Sequence, residues 1–355
     1  MIASVPIAIE KVAKSRVQEV NWNDLGFGRV FSDHMLVATY KEGAWESPRI
    51  IPYGAIPFSP AISALHYGQA IFEGLKAFRN DRDEVFIFRP DRNAQRLNVS
   101  ARRMCMAELP EEIFLEGLKA LVKLDRSWIP KGEGESLYIR PHLFAIDEYV
   151  GVKPSDSYMF VIFTCPVGRY YTTELKVKIE TEYTRAVRGG TGHAKAAGNY
   201  GAALFPTQIA KDAGYDQVLW TDGQNHEYFE ESGTMNVMFM SGNRILTPAT
   251  SDSILDGITR SSVLQLLRDW NYQVEERKVS VAEIVDLMKA GNLHGAFGIG
   301  TAATIAPICT IQHEGTNYEL DAANYMPFSD RINTYMDRLK RGLEMDTHHW
   351  NVRVE

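Results

Sequence analysis

Lys195 stands in the run GGTGHAKAAGNYGAA (189–203), where ten of the fifteen residues are glycine or alanine. An amine becomes a nucleophile only when part of it is neutral, and it then adds to carbonyls to form an imine. A flat ring carried on a lysine tip needs clearance, which such small neighbours provide. Tyr200, five residues on, is near enough in sequence to reach the phenolic oxygen of such a ring. The alternative is a lysine in a solvated surface loop, and an isolated KxxGNY favours that alternative.

Pyridoxal phosphate (PLP) is the cofactor whose chemistry runs through a lysine imine, and it makes three further demands. A carboxylate must face the ring nitrogen and keep it protonated. Glu230-Glu231, in HEYFEESGTMNVMFM, offers one directly before a strand-like run; a buried acidic pair is costly unless one member has a cationic partner. A phosphate must be held. LDGITRSSVLQLLRDW (255–270) reads as a loop opening a helix, with Val263, Leu267 and Trp270 at i, i+4, i+7. The N–H groups of Ile258 and Thr259 then lie at a helix N-terminus, where the dipole favours anions. GIGTAATIAPI (298–308) reads as a second small-residue loop, with Thr301 as its hydroxyl. Finally, a guanidinium suits phosphate oxygens, and Arg89 and Arg185 are the candidates. Each feature alone also fits a surface or capping residue. A nucleotide-binding reading of GIGTA is weaker, because no acidic residue stands ~20 positions on at a strand end; Asp321, near that offset, lies in an irregular stretch.

The elements that must position these residues come next. At 355 residues the chain is long enough for two cores, since single cores stop growing at about 250–300 residues. A formal charge of −7 without a basic run argues against nucleic acid as partner; Arg102-Arg103 reads as a solvated helix face. The three cysteines are far apart and the nine histidines make no ligand spacing, so neither a disulfide framework nor a structural metal is expected. The short apolar run near the N-terminus has no basic segment before it and no cleavage site after it, and no stretch approaches the ~18 apolar residues of a membrane span. A cytoplasmic protein is expected.

DHMLVATY (33–40), EVFIF (84–88), LYIRPHLFAI (137–146), YMFVIFTCPV (158–167), KVKIETEY (176–183), QVLW (217–220) and NVMFM (236–240) have strand composition. Leu97, Ala101 and Met104 predict a helix after FRP, and Phe114, Leu118 and Leu121 another over 111–126. Ser280 and Glu283 make a capping box, and Ile332, Tyr335, Met336 and Leu339 mark a last helix. GRYYTTEL (168–175) breaks the pattern and reads as an interdomain linker. The sum is a two-domain α/β or α+β protein.

FGRVFSDHML (27–36), LHYGQAIFEGLKAFR (65–79), FRP (88–90), LYIRP (137–141), KAAGNYGA (195–202), QVLW, ESGTMN (231–236), LDGITR (255–260) and FGIGTAATIAPI (297–308) together resemble, in order, the branched-chain amino acid aminotransferases, PLP enzymes of fold type IV. The resemblance implies a smaller N-terminal α/β domain over 1–167, a linker over 168–177, and a larger PLP-binding domain over 178–355 with a β-barrel-like core. Lys195 then matches the Schiff-base lysine that moves the proton, Tyr200 the hydroxyl on the ring oxygen, and Glu231 the carboxylate on the ring nitrogen. Arg89, Ile258, Thr259 and Thr301 match the phosphate cradle, with Arg185 close by. Ala302 and Ala303 match the N–H groups that take the substrate α-carboxylate, and Phe27, Tyr67, Tyr138 and Tyr170 an aromatic wall. Arg140 is similar to the residue used for the distal carboxylate of glutamate, which shares a pocket with leucine, isoleucine and valine. A homodimer is implied as well.

Two departures stand out. No CxxC pair follows GTA, and Ile299 occupies a position where relatives often carry a small or polar residue, which bears on substrate preference. A D-amino acid transaminase or an aminodeoxychorismate lyase would share the Lys–Tyr–Glu set without the YIRP and DHML blocks. A PLP carrier would bind the cofactor without amino-group exchange.

Overall fold

The computed structural model describes residues 6–169 and 173–355. The chain forms two compact units. The first comprises residues 1–170, 194–197 and 337–355, and the second residues 171–193 and 198–336.

The first unit is built on one ten-stranded sheet. Its central strands, His34–Lys41, Tyr158–Val167 and Ser136–Ala145, pair antiparallel over their length. Both faces of these strands are buried. Leu36, Phe160 and Ile139 face one core, and Met35, Val37 and Val161 face another. This is why their sequences read as continuous apolar runs. Helix Pro90–Arg103 begins with proline in its first turn, carries Asp91 there, and ends on Arg102 and Arg103, so its charges oppose the helix dipole. Its Leu97 and Ala101 meet Phe114, Leu118 and Leu121 of helix Glu111–Leu124 in the core. The C-terminal strand Asn351–Val354 pairs with Val85–Phe88. That pairing draws 337–355 into this unit, which is therefore no smaller than the other.

In the second unit six strands close on themselves. Leu175–Ile179 pairs with both Gln217–Thr221 and Thr304–His313; the ring continues through Gly295–Gly300 and Met235–Ser241 to Phe229–Ser232, which returns to Gln217–Thr221. The ring is the barrel-like core expected of the C-terminal half. Its Val177, Leu219, Val237 and Ile308 share one cluster with Ile284 and Met288 of helix Val281–Lys289, whose N-cap Ser280 accepts the N–H of Glu283 while the Glu283 carboxylate pairs with Arg277.

Two local expectations need correcting, and one segment takes a form that the sequence left open. The strand predicted over 176–183 ends at Ile179, because the Glu180 carboxylate accepts the N–H groups of Thr181, Glu182 and Tyr183 and turns the chain. GIGTAATIAPI is a hairpin rather than a loop. Gly300 pairs with Thr304, leaving Thr301–Ala303 as the tip. The small residues after Lys195 open a helix, Ala197–Asp212.

Candidate active site

In the first unit, helix Pro90–Arg103 organises the residues of interest. Glu73 receives Arg96 through two 2.8 Å bonds and Asn93 through a third. All three side chains are buried, so the strand Ala70–Phe72 that leads into Glu73 is clamped to the helix. Both hold Lys195 by its main chain. Its N–H donates to Ser100 Oγ on the helix (2.9 Å), and its carbonyl accepts from Phe72 N on the strand (3.1 Å). Ala196 bridges Ile71, and Ala194 and Ala196 are both packed into the core. Two of the small neighbours are therefore small because they are buried beside a clamped main chain. Gly198 and Gly201, in contrast, have open space where a side chain would be.

The half-buried Lys195 projects its Nζ to 5.0 Å from the Phe72 ring centre. The Arg140 guanidinium lies 4.6 Å from the same ring, and its Nη2 donates to the Tyr138 hydroxyl at 2.9 Å. Tyr138 in turn meets Phe27 edge-on, centres 4.9 Å apart. Five residues are thus linked in series, with Phe72 shared by two cations. Arg140 Nε is buried with no hydrogen-bond partner among the described residues. Its charge is felt at His142, whose pKa is pushed down to about 4, mainly by burial and further by Arg140. Tyr67 is tied elsewhere, its hydroxyl donating to the Val150 carbonyl. Tyr170 lies outside the described residues. Arg89 takes a left-handed conformation at the N-cap of helix Pro90–Arg103, its N–H on the Trp350 carbonyl and its guanidinium 5.4 Å from the Trp350 ring.

In the second unit the barrel register gathers the rest. Glu231 lies opposite Asn236, and Asn236 opposite Ile299. Residues paired in this way share a face of the sheet. The segment before helix Ile258–Asp269 crosses these residues. Leu255 donates its N–H to Glu231 Oε1 (2.9 Å), and its carbonyl accepts Asn236 Nδ2 (2.9 Å). Gly257, the helix N-cap, lies so close to Asn236 that a Cβ there would collide with Oδ1. A side chain at 257 would therefore push the Asn236 amide off the Leu255 carbonyl it holds, and Ile258 and Thr259 follow as the first two residues of the helix. Ile299 shares the face, and the tip Thr301–Ala303 begins two residues on.

Glu231 is buried and has a cationic partner, Arg185, also buried, with Nε 3.3 Å from Oε2. Arg185 also donates to the Ser253 carbonyl. Arg185, expected near a phosphate, is thus bound to the acid instead. Tyr200 lies half-buried in the first turn of helix Ala197–Asp212, where Asn199 bonds both the hydroxyl and the carbonyl of Thr191.

Sequence reasoning missed Phe72, Ser100, Asn236 and Gly257. Asn236 and Gly257 stand inside the ESGTMN and LDGITR blocks and could have been noticed there. Phe72 likewise stands inside the LHYGQAIFEGLKAFR block, whereas Ser100 acts through a contact distant in sequence and leaves no local signal.

Residues 70–311 match the family described as amino-transferase class IV. Over 336 residues the chain is 43% identical to branched-chain-amino-acid aminotransferase 2 of Bacillus subtilis (strain 168), covering 94% of this chain and 93% of that one. The chain belongs to the class IV branched-chain-amino-acid aminotransferases. This aminotransferase is also 40% identical over 351 residues to the branched-chain-amino-acid aminotransferase of Mycolicibacterium smegmatis, covering 96% and 95% of the two chains. Among solved structures it is similar to the branched-chain aminotransferase of Thermoproteus uzoniensis with norvaline (TM-score 0.75, 23% identity, 91% of this chain and 100% of that one). It is also similar to the branched-chain amino acid aminotransferase of Thermobaculum terrenum in its PLP form (TM-score 0.73, 22% identity, 90% and 98%). These structures share the two-domain fold type IV architecture that the sequence led us to expect.

Proposed function

We propose that this aminotransferase uses PLP to exchange an amino group between leucine, isoleucine or valine and 2-oxoglutarate. The residues fit the cofactor. A half-buried lysine amine, a buried carboxylate with a cationic partner, and a helix that starts beside Asn236 are the features that suit it. When bound, PLP supplies an electron sink for the substrate Cα. Lys195 then holds the cofactor and moves the proton at Cα. Tyr200 donates to the ring oxygen, and Glu231 keeps the ring nitrogen protonated. Ile258, Thr259, Thr301 and Arg89 receive the phosphate, and the N–H groups of Ala302 and Ala303 the substrate α-carboxylate. Arg185 holds Glu231 in place. In this reading the N-terminal domain (1–167) supplies the side-chain wall through Phe27, Tyr67, Tyr138 and Tyr170, and the domain after the 168–177 linker carries most of the cofactor contacts. The enzyme works in the cytoplasm as a homodimer; no helix among the described residues is long and apolar enough to cross a membrane.

The observation that carries the substrate reading is the Phe72 ring shared by Lys195 and Arg140. A guanidinium amid aromatic rings, its buried Nε without a partner among the described residues, suits a ligand that is apolar in one half-reaction and ends in a carboxylate in the other. Arg140→Met should therefore separate the two. Losing a charged hydrogen bond costs about 1.5–3 kcal/mol. The kcat/KM for glutamate and 2-oxoglutarate is expected to fall roughly 10–100-fold while that for leucine changes little. An equal loss for both substrates would remove Arg140 from this role.

A further inference from the structure

Glu230 has no role in the account above. Over the same span its strand carries one residue more than its neighbour: Leu219 lies opposite Ser232, and Thr221 opposite Phe229. A bulge of this kind re-aims side chains. Here Glu230 and Glu231 both reach the segment 253–255, where successive strand residues would ordinarily point to opposite faces. Glu231 accepts from Leu255 N, and Glu230 Oε1 accepts from the Ser253 hydroxyl. The Ser253 carbonyl is itself held by Arg185. Glu230 is 5% exposed, and its Oε2 is buried with no hydrogen-bond partner among the described residues.

An ionised carboxylate with one oxygen left bare in the interior is costly. The charged groups facing Glu230 are Arg185 from the loop after Leu175–Ile179, Glu231 on its own strand, and Asp222 just after Gln217–Thr221. Burial pushes its pKa up to about 7; Ser253 and Arg185 oppose the rise, and Glu231 and Asp222 add to it.

We propose that Glu230 is a positioning residue for Glu231: through Ser253 it sets the segment that donates to Glu231, and its proton decides whether Arg185 serves one carboxylate or two. With the proton on, Arg185 belongs to Glu231 alone. With the proton off, a second negative charge competes for Arg185, and the cofactor's hold changes around neutral pH. The inference rests on the reading of Glu231 as the partner of the ring nitrogen.

The first test uses the protein stripped of cofactor. A carboxyl that titrates near 7 when folded, against 4.5 in the unfolded chain, makes the folded state the better proton binder between those values. Its stabilising contribution is complete below about pH 4.5 and is lost as pH rises through about 7. Glu230→Gln keeps the shape and cannot ionise. The melting temperature of E230Q minus that of wild type is expected to rise by at least about 2 °C between roughly pH 5 and pH 8. A difference that does not move with pH overturns the protonation. Ser253→Ala removes a donor to the ionised form, so it should shift the wild-type step to higher pH; no shift overturns the Ser253 link.

The second test follows the dissociation constant of PLP itself over the same pH range. Wild type should carry a component near neutrality that E230Q lacks. Identical profiles overturn the positioning role. Failure of wild type to bind PLP at any pH overturns the ring-nitrogen reading and the positioning role with it, and the first test tells that failure apart from a wrong proton.

Discussion

Replacing Lys195 with alanine is expected to abolish amino-group exchange, lowering turnover by about 10⁴-fold or more, because both the covalent hold on the cofactor and the proton carrier at Cα go together. The same change should leave the cofactor-free protein folded. Lys195 is fixed by its N–H on Ser100 and its carbonyl on Phe72, and the neighbouring Ala196 bridges Ile71. None of these needs the side chain. Kinetics of the leucine half-reaction, paired with thermal unfolding of the cofactor-free variant, check both halves of this expectation. A K195A protein that still exchanges amino groups would refute the assignment. One that fails to fold would show that the side chain itself supports the core.

The second large effect is at Glu231, where charge and shape can be separated. Glu231→Ala removes one member of a buried ion pair and leaves Arg185 buried without its carboxylate. Breaking such a pair costs about 3–5 kcal/mol, which chemical denaturation would measure. Glu231→Gln keeps an oxygen for the Leu255 N–H and should fold better than E231A. It loses the charge that holds a proton on the ring nitrogen. Removing one preorganised electrostatic partner costs roughly 10²–10³-fold in turnover, and that is the loss expected for E231Q. Full turnover in E231Q would show that Glu231 serves the fold and not the cofactor.

Much of this was legible in the sequence where the signal was local. Continuous apolar runs marked the central strands, because those strands are buried on both faces. Periodic leucines and alanines marked helices Pro90–Arg103 and Glu111–Leu124. Of the capping box at Ser280, the serine half forms, while the Glu283 carboxylate turns to Arg277. Signals that depend on distant partners were not visible. Strand Asn351–Val354 exists because it pairs with Val85–Phe88, and no pattern in NVRV announces it. Helix Ala197–Asp212 contains two glycines in its first turns and Pro206 in its interior, which masks it from propensity. In the sequence the small residues about Lys195 suggest room for a ring. The structure divides them: Ala194 and Ala196 fill the core, Gly192 would collide with Ser253 if it bore a side chain, and Gly198 and Gly201 face open space. The adjacent acids at 230 and 231 show that a cation is needed, but not that a bulge brings both to the segment 253–255.

The most direct test is the visible absorption spectrum of the purified protein, taken with PLP, then after adding leucine, then after adding 2-oxoglutarate. The account predicts a yellow band that bleaches with leucine and returns with 2-oxoglutarate, each step being one half-reaction. A band indifferent to both substrates would contradict the transaminase reading, and the lack of any band with added PLP would contradict the role of Lys195 itself.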